Sequence, residues 1–117
     1  MESDDKFKNT FSDSYKWKVL KMIHDEIMSL GEGVSYIIYP IYIKYFNRDK
    51  VIAVVFLKSA GKHMEGVKKD QVDLGLNLIK KPKIKGFRSA EYMKDQNIQY
   101  SILLKNSDSV KTIQSIV

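Results

Sequence analysis

The stretch from Val34 to Leu57, VSYIIYPIYIKYFNRDKVIAVVFL, decides how the rest of the chain is read. Its β-branched and aromatic side chains suit a pleated, half-buried surface. Two dense runs are separated by Asn47-Arg48-Asp49, whose side chains favour a turn, so the spacing predicts a hairpin of antiparallel neighbours. Pro40 has no N–H to give a ladder and marks a bend or a strand start. The second run, Val51 to Leu57, is almost wholly apolar. It reads as a central strand, either covered on both faces or buried under a helix on one and under aromatics on the other.

Outward on the N-terminal side, Leu20, Ile23, Ile27 and Leu30 fall at helical spacing, with Val19 and Met22 beside them. Ser12 or Asp13 offers the N-cap and Gly31 the stop. Lys16, Lys18, Lys21, Asp25 and Ser29 occupy the other side, as in a helix that lies on a sheet with one face in water. Trp17 is expected to cover the start of the core. Residues 1–12 are polar and charged around Phe7 and read as a lead-in or linker remnant, followed by a single domain over 13–117.

On the C-terminal side, Lys58 to Asp70 shows no period and reads as a long exposed loop. Val72, Leu74, Leu76 and Leu78 alternate with Asp73, Gly75 and Asn77, the pattern of a strand with one buried and one wet face. Ile98, Tyr100, Ile102 and Leu104 repeat it. A short helical piece is expected across Ser89 to Asp95, and a last helix after Ser107 with Val110, Ile113 and Val117 on one side. The expected fold is α+β: a mostly antiparallel sheet of four to five strands with N- and C-terminal helices packed on one face. Leu20, Ile23, Ile27, Val54, Leu74, Leu76, Ile102 and Ile113 are expected to share one core.

A chain of 117 residues is the size of one ordinary domain. The absence of cysteine excludes disulfides, thiolate metal sites and Cys nucleophiles, and it fits a reducing, cytoplasmic location. No apolar run approaches the roughly 20 residues that cross a bilayer, so no membrane partner is expected. Lys plus Arg minus Asp plus Glu is 20 − 14 = +6. Such an excess suits weak binding to nucleic acid or to an acidic protein partner, and solubility alone also accounts for it.

No catalytic motif stands out. Gly61-Lys62 lacks the earlier glycine and the following hydroxyl of a phosphate loop, because Phe56 and His63 occupy those positions. His63 and Glu65, with only His24 elsewhere, fall short of the three or four convergent ligands a metal needs, so no metal or cofactor is expected. Ser59 with His63 lacks the context of a nucleophile elbow. The chain reads as a non-catalytic binding module. Lys80, Lys81, Lys83, Lys85 and Arg88 fall in KKPKIKGFR with no acid between them, and Pro82 and Gly86 favour an exposed loop there, so these are the candidate phosphate contacts. Tyrosines occupy both parities between Tyr36 and Phe46, which leaves some rings turned outward, and Tyr42 is the candidate for stacking on bases. Nucleic-acid association is favoured over two alternatives. One is a protein-interaction or homo-oligomerisation domain, the other a small-molecule-binding or enzymatic domain.

The order of a helix ending Ser29-Leu30-Gly31, then Tyr42-Ile43-Lys44-Tyr45, Val51-Ile52-Ala53-Val54 and Leu74-Gly75-Leu76-Asn77-Leu78, resembles a small bacterial and archaeal domain of unknown function labelled "predicted transport protein". The resemblance runs from about Lys16 to the C-terminus and implies an α+β fold. That family often follows a restriction-endonuclease-like domain, which implies an accessory role. Two departures stand out. The family's Gly-His-Trp-Gly-like turn has no counterpart in Tyr92 to Asn97, and the loop with His63 is longer.

Overall fold

The computed structural model describes residues 2–57, 71–80, 83–90 and 97–105, with only the backbone for residues 2–4. The elements in chain order are helices α1 (Glu2–Phe11) and α2 (Trp17–Met28) and strands β1 (Val34–Ile38), β2 (Tyr42–Asn47), β3 (Lys50–Phe56), β4 (Gln71–Leu76), β5 (Arg88–Ser89) and β6 (Tyr100–Lys105). The strands form one sheet in the order β1-β2-β3-β4-β6-β5, with every neighbouring pair antiparallel. The α+β class and the antiparallel sheet agree with the sequence reading. Among the described residues the strand number is six rather than four to five.

The extra strands have local causes. Pro40 breaks the first β-forming run, and the chain reverses there so that β1 and β2 pair from Val34↔Asn47 to Ile38↔Ile43. The β2–β3 pairing continues one step past Tyr42 and Phe56, where the Leu57 N–H donates to the Ile41 carbonyl at 2.9 Å. Between β2 and β3 the expected hairpin forms, with Arg48 at φ 58 in the turn and a register shift at Tyr45/Phe46 that leaves Ile52 as an additional residue. β3 is flanked on both sides, as its apolar sequence requires. The other added strand, β5, is two residues long and pairs, among the described residues, with β6 alone.

One face of the sheet carries the helices. Val34, Ile43, Tyr45, Ala53, Val55, Val72, Leu74, Leu76, Ile102 and Leu104 pack there with Val19, Leu20, Ile23 and Ile27 of α2. α2 is shorter than its sequence signals. It begins at Trp17 with no side-chain cap, and Ser29 is its C-cap, so Leu30 falls past the helix and is 54% exposed. Residues Glu2–Phe11 are not an irregular lead-in. They form α1, because Phe7 and Phe11, four residues apart, reach the same core and are both buried. Trp17 packs against this core, as expected.

The opposite face holds a second cluster of Val54, Phe56, Ala90 and Ile98, flanked by Ile41, Tyr42 and Val51. Val54 therefore leaves the single expected core, while Leu20, Ile23, Ile27, Leu74, Leu76 and Ile102 share the first one. β4 has no wet face. All six of its residues are buried, Asp73 and Gln71 included. Ser89 belongs to a strand rather than to a helix start, and Ile98 precedes β6 rather than lying in it. The expected loop at Lys58 to Asp70, most of the expected helix at Ser89 to Asp95, and the last helix with Ile113 lie outside the described residues.

Candidate nucleic-acid interface

Cross-strand register determines which candidate side chains share a surface. Tyr42 faces Phe56, and Phe56 faces Asp73. One row along, Lys44, Val54, Gly75, Ser101 and Arg88 follow one another across β2, β3, β4, β6 and β5. Directly opposed residues point to the same side, so Tyr42, Lys44 and Arg88 all belong to the face away from the helices.

The Pro40 turn completes an aromatic surface at the β2 end of that face. The Tyr39 N–H donates to the Tyr42 carbonyl at 2.8 Å and brings the two rings into a stack, with centroids 4.8 Å apart and planes 19° from parallel. Tyr42 in turn lies against Phe56, with centroids 5.2 Å apart. Lys44 Nζ is 5.9 Å from the centre of the Tyr39 ring, within cation–π range. Phe56 is buried while Tyr39, Tyr42 and Lys44 are half-exposed, so the ladder runs from the core out to solvent. Ile37, opposite Lys44 on β1, is 46% exposed beside it.

Arg88 has a different occupation. Its Nη2 is 3.1 Å from Asp73 Oδ2, and its Nε donates to Ser101 Oγ at 3.4 Å. The Asp73 side chain is wholly buried and that of Arg88 is one third exposed. A buried carboxylate is tolerated only when paired and hydrogen-bonded, so Arg88 answers an internal anion.

The lysines of the same segment lie elsewhere. Lys80, Lys83 and Lys85 are exposed, and Lys81 is outside the described residues. Ile84 and Phe87 anchor this connection to the helix-side core. Gly86, at φ +103, adopts a conformation that strains any other residue, and a Cβ there would lie 3.3 Å from Ile102 Cδ1. Residues 83–87 thus pass over the helix-bearing side of the sheet, while Tyr42 belongs to the opposite side. The structure brings Tyr42 together with Tyr39 and Lys44, and does not bring it together with Lys83 and Lys85.

The remaining tyrosines of the central stretch are structural. Tyr45 is buried and its Oη is 2.8 Å from His24 Nδ1, while Tyr36 packs edge-on to the same imidazole. His24 is 3% exposed and stacks on Phe7 at 3.8 Å. The sequence reading missed Tyr39 and Lys44, and the available signal was the Tyr-Pro-Ile-Tyr spacing, in which a turn at Pro40 folds one ring onto the other.

Among the described residues, no three histidine or carboxylate side chains converge as metal ligands, and no helix is long and apolar enough to cross a membrane. Comparison with protein-family models, curated proteins and solved structures found no match to this chain.

Proposed function

We propose that this chain is a non-catalytic accessory domain that associates with nucleic acid, preferentially single-stranded, through the sheet face that carries Tyr39, Tyr42 and Lys44. The half-exposed tyrosine stack beside a lysine ammonium is the observation that carries this reading. Aromatic rings on a sheet accept bases of any sequence, at about 1–3 kcal/mol per stacked base. Lys83 and Lys85 flank Ile84, which packs on the helix-side core, and with the exposed Lys80 they supply long-range attraction to phosphate rather than contacts at the same patch. The resemblance to the domain family found beside restriction-endonuclease-like domains belongs to the same proposal, since it suggests an accessory role.

Fluorescence anisotropy with a labelled single-stranded oligonucleotide tests it. Binding is expected at about 50 mM salt and should weaken steeply by about 200 mM. Tyr39→Ala should lower affinity by about tenfold, within the range of one lost stacking contact. Replacing Lys80, Lys81, Lys83 and Lys85 with Gln should flatten the salt dependence. No binding at about 50 mM salt, where phosphate contacts are strongest, overturns the reading.

A second reading has its own observation. β1, Val-Ser-Tyr-Ile-Ile, is an edge strand without charge or proline and exposes Ile37. Such edges suit pairing with another protein or a second copy. A concentration-dependent dimer in sedimentation, together with no oligonucleotide binding, selects it.

A further inference from the structure

Between α1 and α2 lies a cleft of about 280 Å³, on the helix layer and away from the tyrosine face. Its α2 side is formed by Trp17, Lys21, His24 and Asp25, spaced so that they form one stripe of the helix. Its α1 side is formed by Asp5, Phe7 and Lys8. The aromatic floor is already ordered: Phe7 stacks on His24 on one side and lies 5.8 Å from Trp17 on the other. Trp17 is only half-buried, and a second hollow of about 380 Å³ on its other flank shares Trp17, Lys21 and Asp25.

The charges at the mouth differ in their engagement. Lys21 and Asp25 hold each other at 2.8 Å across one helical turn. Asp5 and Lys8, three residues apart and exposed, are held in no ion pair with a described residue. The cleft therefore combines an indole surface with one uncommitted carboxylate and one uncommitted ammonium. Its volume is just below the usual small-molecule range of about 300–1,000 Å³, enough for a ligand of one or two rings.

We propose that this cleft binds a small aromatic zwitterion of the aromatic α-amino-acid class, with its ring on Trp17, its carboxylate toward Lys8 and its ammonium toward Asp5. A cation alone would meet Lys8 and Lys21, and an anion alone would meet Asp5 and Asp25. Only a molecule with both charges beside one ring satisfies the two uncommitted groups together. Because Asp5 and Lys8 lie on α1 and Trp17 on α2, occupancy ties the first helix to the second. The bound chain is then more stable than the free one by mass action.

Trp17 is the only tryptophan in the chain, so its emission reports the cleft directly. The probes are L-phenylalanine, phenylacetate, phenethylamine and L-leucine, each titrated to about 10 mM, which saturates a site with a dissociation constant near 1 mM. L-Phenylalanine should change Trp17 emission saturably and raise the melting temperature, the two singly charged probes should bind more weakly, and L-leucine should not bind. Lys8→Gln should weaken L-phenylalanine and phenylacetate by about two- to fivefold without weakening phenethylamine, and Asp5→Asn should do the converse, as expected for exposed charge pairs. Both substitutions lie on exposed positions and should leave the fold intact. No saturable emission change and no melting shift with L-phenylalanine overturns the proposal. So does equal binding of L-leucine, or affinities for all three charged probes that neither variant alters.

Discussion

The two faces of the sheet are closed by different chemistry. On the helix side, two helices and five strands bury a continuous apolar cluster whose buried polar member, His24, bonds to Tyr45 within it. On the other side, a small apolar cluster borders an ion pair whose carboxylate is buried and whose guanidinium is one third exposed, and half-exposed aromatics reach solvent next to it. Apolar closure needs only volume and period, whereas a buried charge needs one partner in one place. The first face is accordingly structural and tolerates apolar exchanges of like volume, though not truncation. The second is where a change of a single side chain has specific consequences, and where the candidate interface lies.

The largest effect expected from this contrast comes from the first face. Leu74 is fully buried between α2 and the sheet, and Leu74→Ala should lower unfolding free energy by about 2–5 kcal/mol in denaturant titration. A loss below 1 kcal/mol would mean that the helix side is not the closed core. Next comes the ion pair. Arg88→Ala leaves Asp73 in the interior without its guanidinium and should cost about 2–4 kcal/mol, reduced from the fully buried case because Arg88 is one third exposed. Adding Asp73→Asn should recover part of that loss, and strictly additive costs in the double-mutant cycle would show that the two side chains do not act as a pair.

Smaller again is the polar contact inside the first face. Tyr45→Phe removes the hydroxyl from His24 and should cost about 1–2 kcal/mol with the fold retained by circular dichroism. The smallest stability effect is at the interface itself. Lys44→Gln should change stability by less than about 0.5 kcal/mol, as surface substitutions do, while reducing oligonucleotide affinity. A variant that loses stability but keeps affinity would move Lys44 from the interface to the scaffold.

Much of the helix-side face was legible in the residues. The 3.6-residue spacing of Leu20, Ile23 and Ile27 and the two-residue spacing of Leu74 and Leu76 each identify one buried stripe, and they meet in the same core. The second face was hidden because Asp73 and Ser101 look like solvent-facing residues in a sequence. Only the docking of Arg88 from a strand 15 residues later makes a buried acid reasonable. Phe7 and Phe11 were diluted by charged neighbours, so α1 did not show. At the candidate site, Tyr42 was chosen by parity, but its partners Tyr39 and Lys44 depended on a hairpin at Pro40 that parity does not reveal. The basic run was legible as charge, and its side of the sheet was not, because Ile84 and Phe87 fix that only in three dimensions.

The strand order also bears on how the chain folds. β1 to β4 are neighbours in space in the order of the sequence, and the first three are joined by turns at Pro40 and Arg48-Asp49. Hairpins of this kind form in about 1–10 μs, before contacts that require long loop closure. β6 instead enters between β4 and the earlier β5, so the Arg88–Asp73 pair is completed only after the last strand has arrived. The consequence is kinetic: substitutions in β2 and β3 should slow folding, whereas loss of Arg88 should leave the folding rate nearly unchanged and appear as faster unfolding.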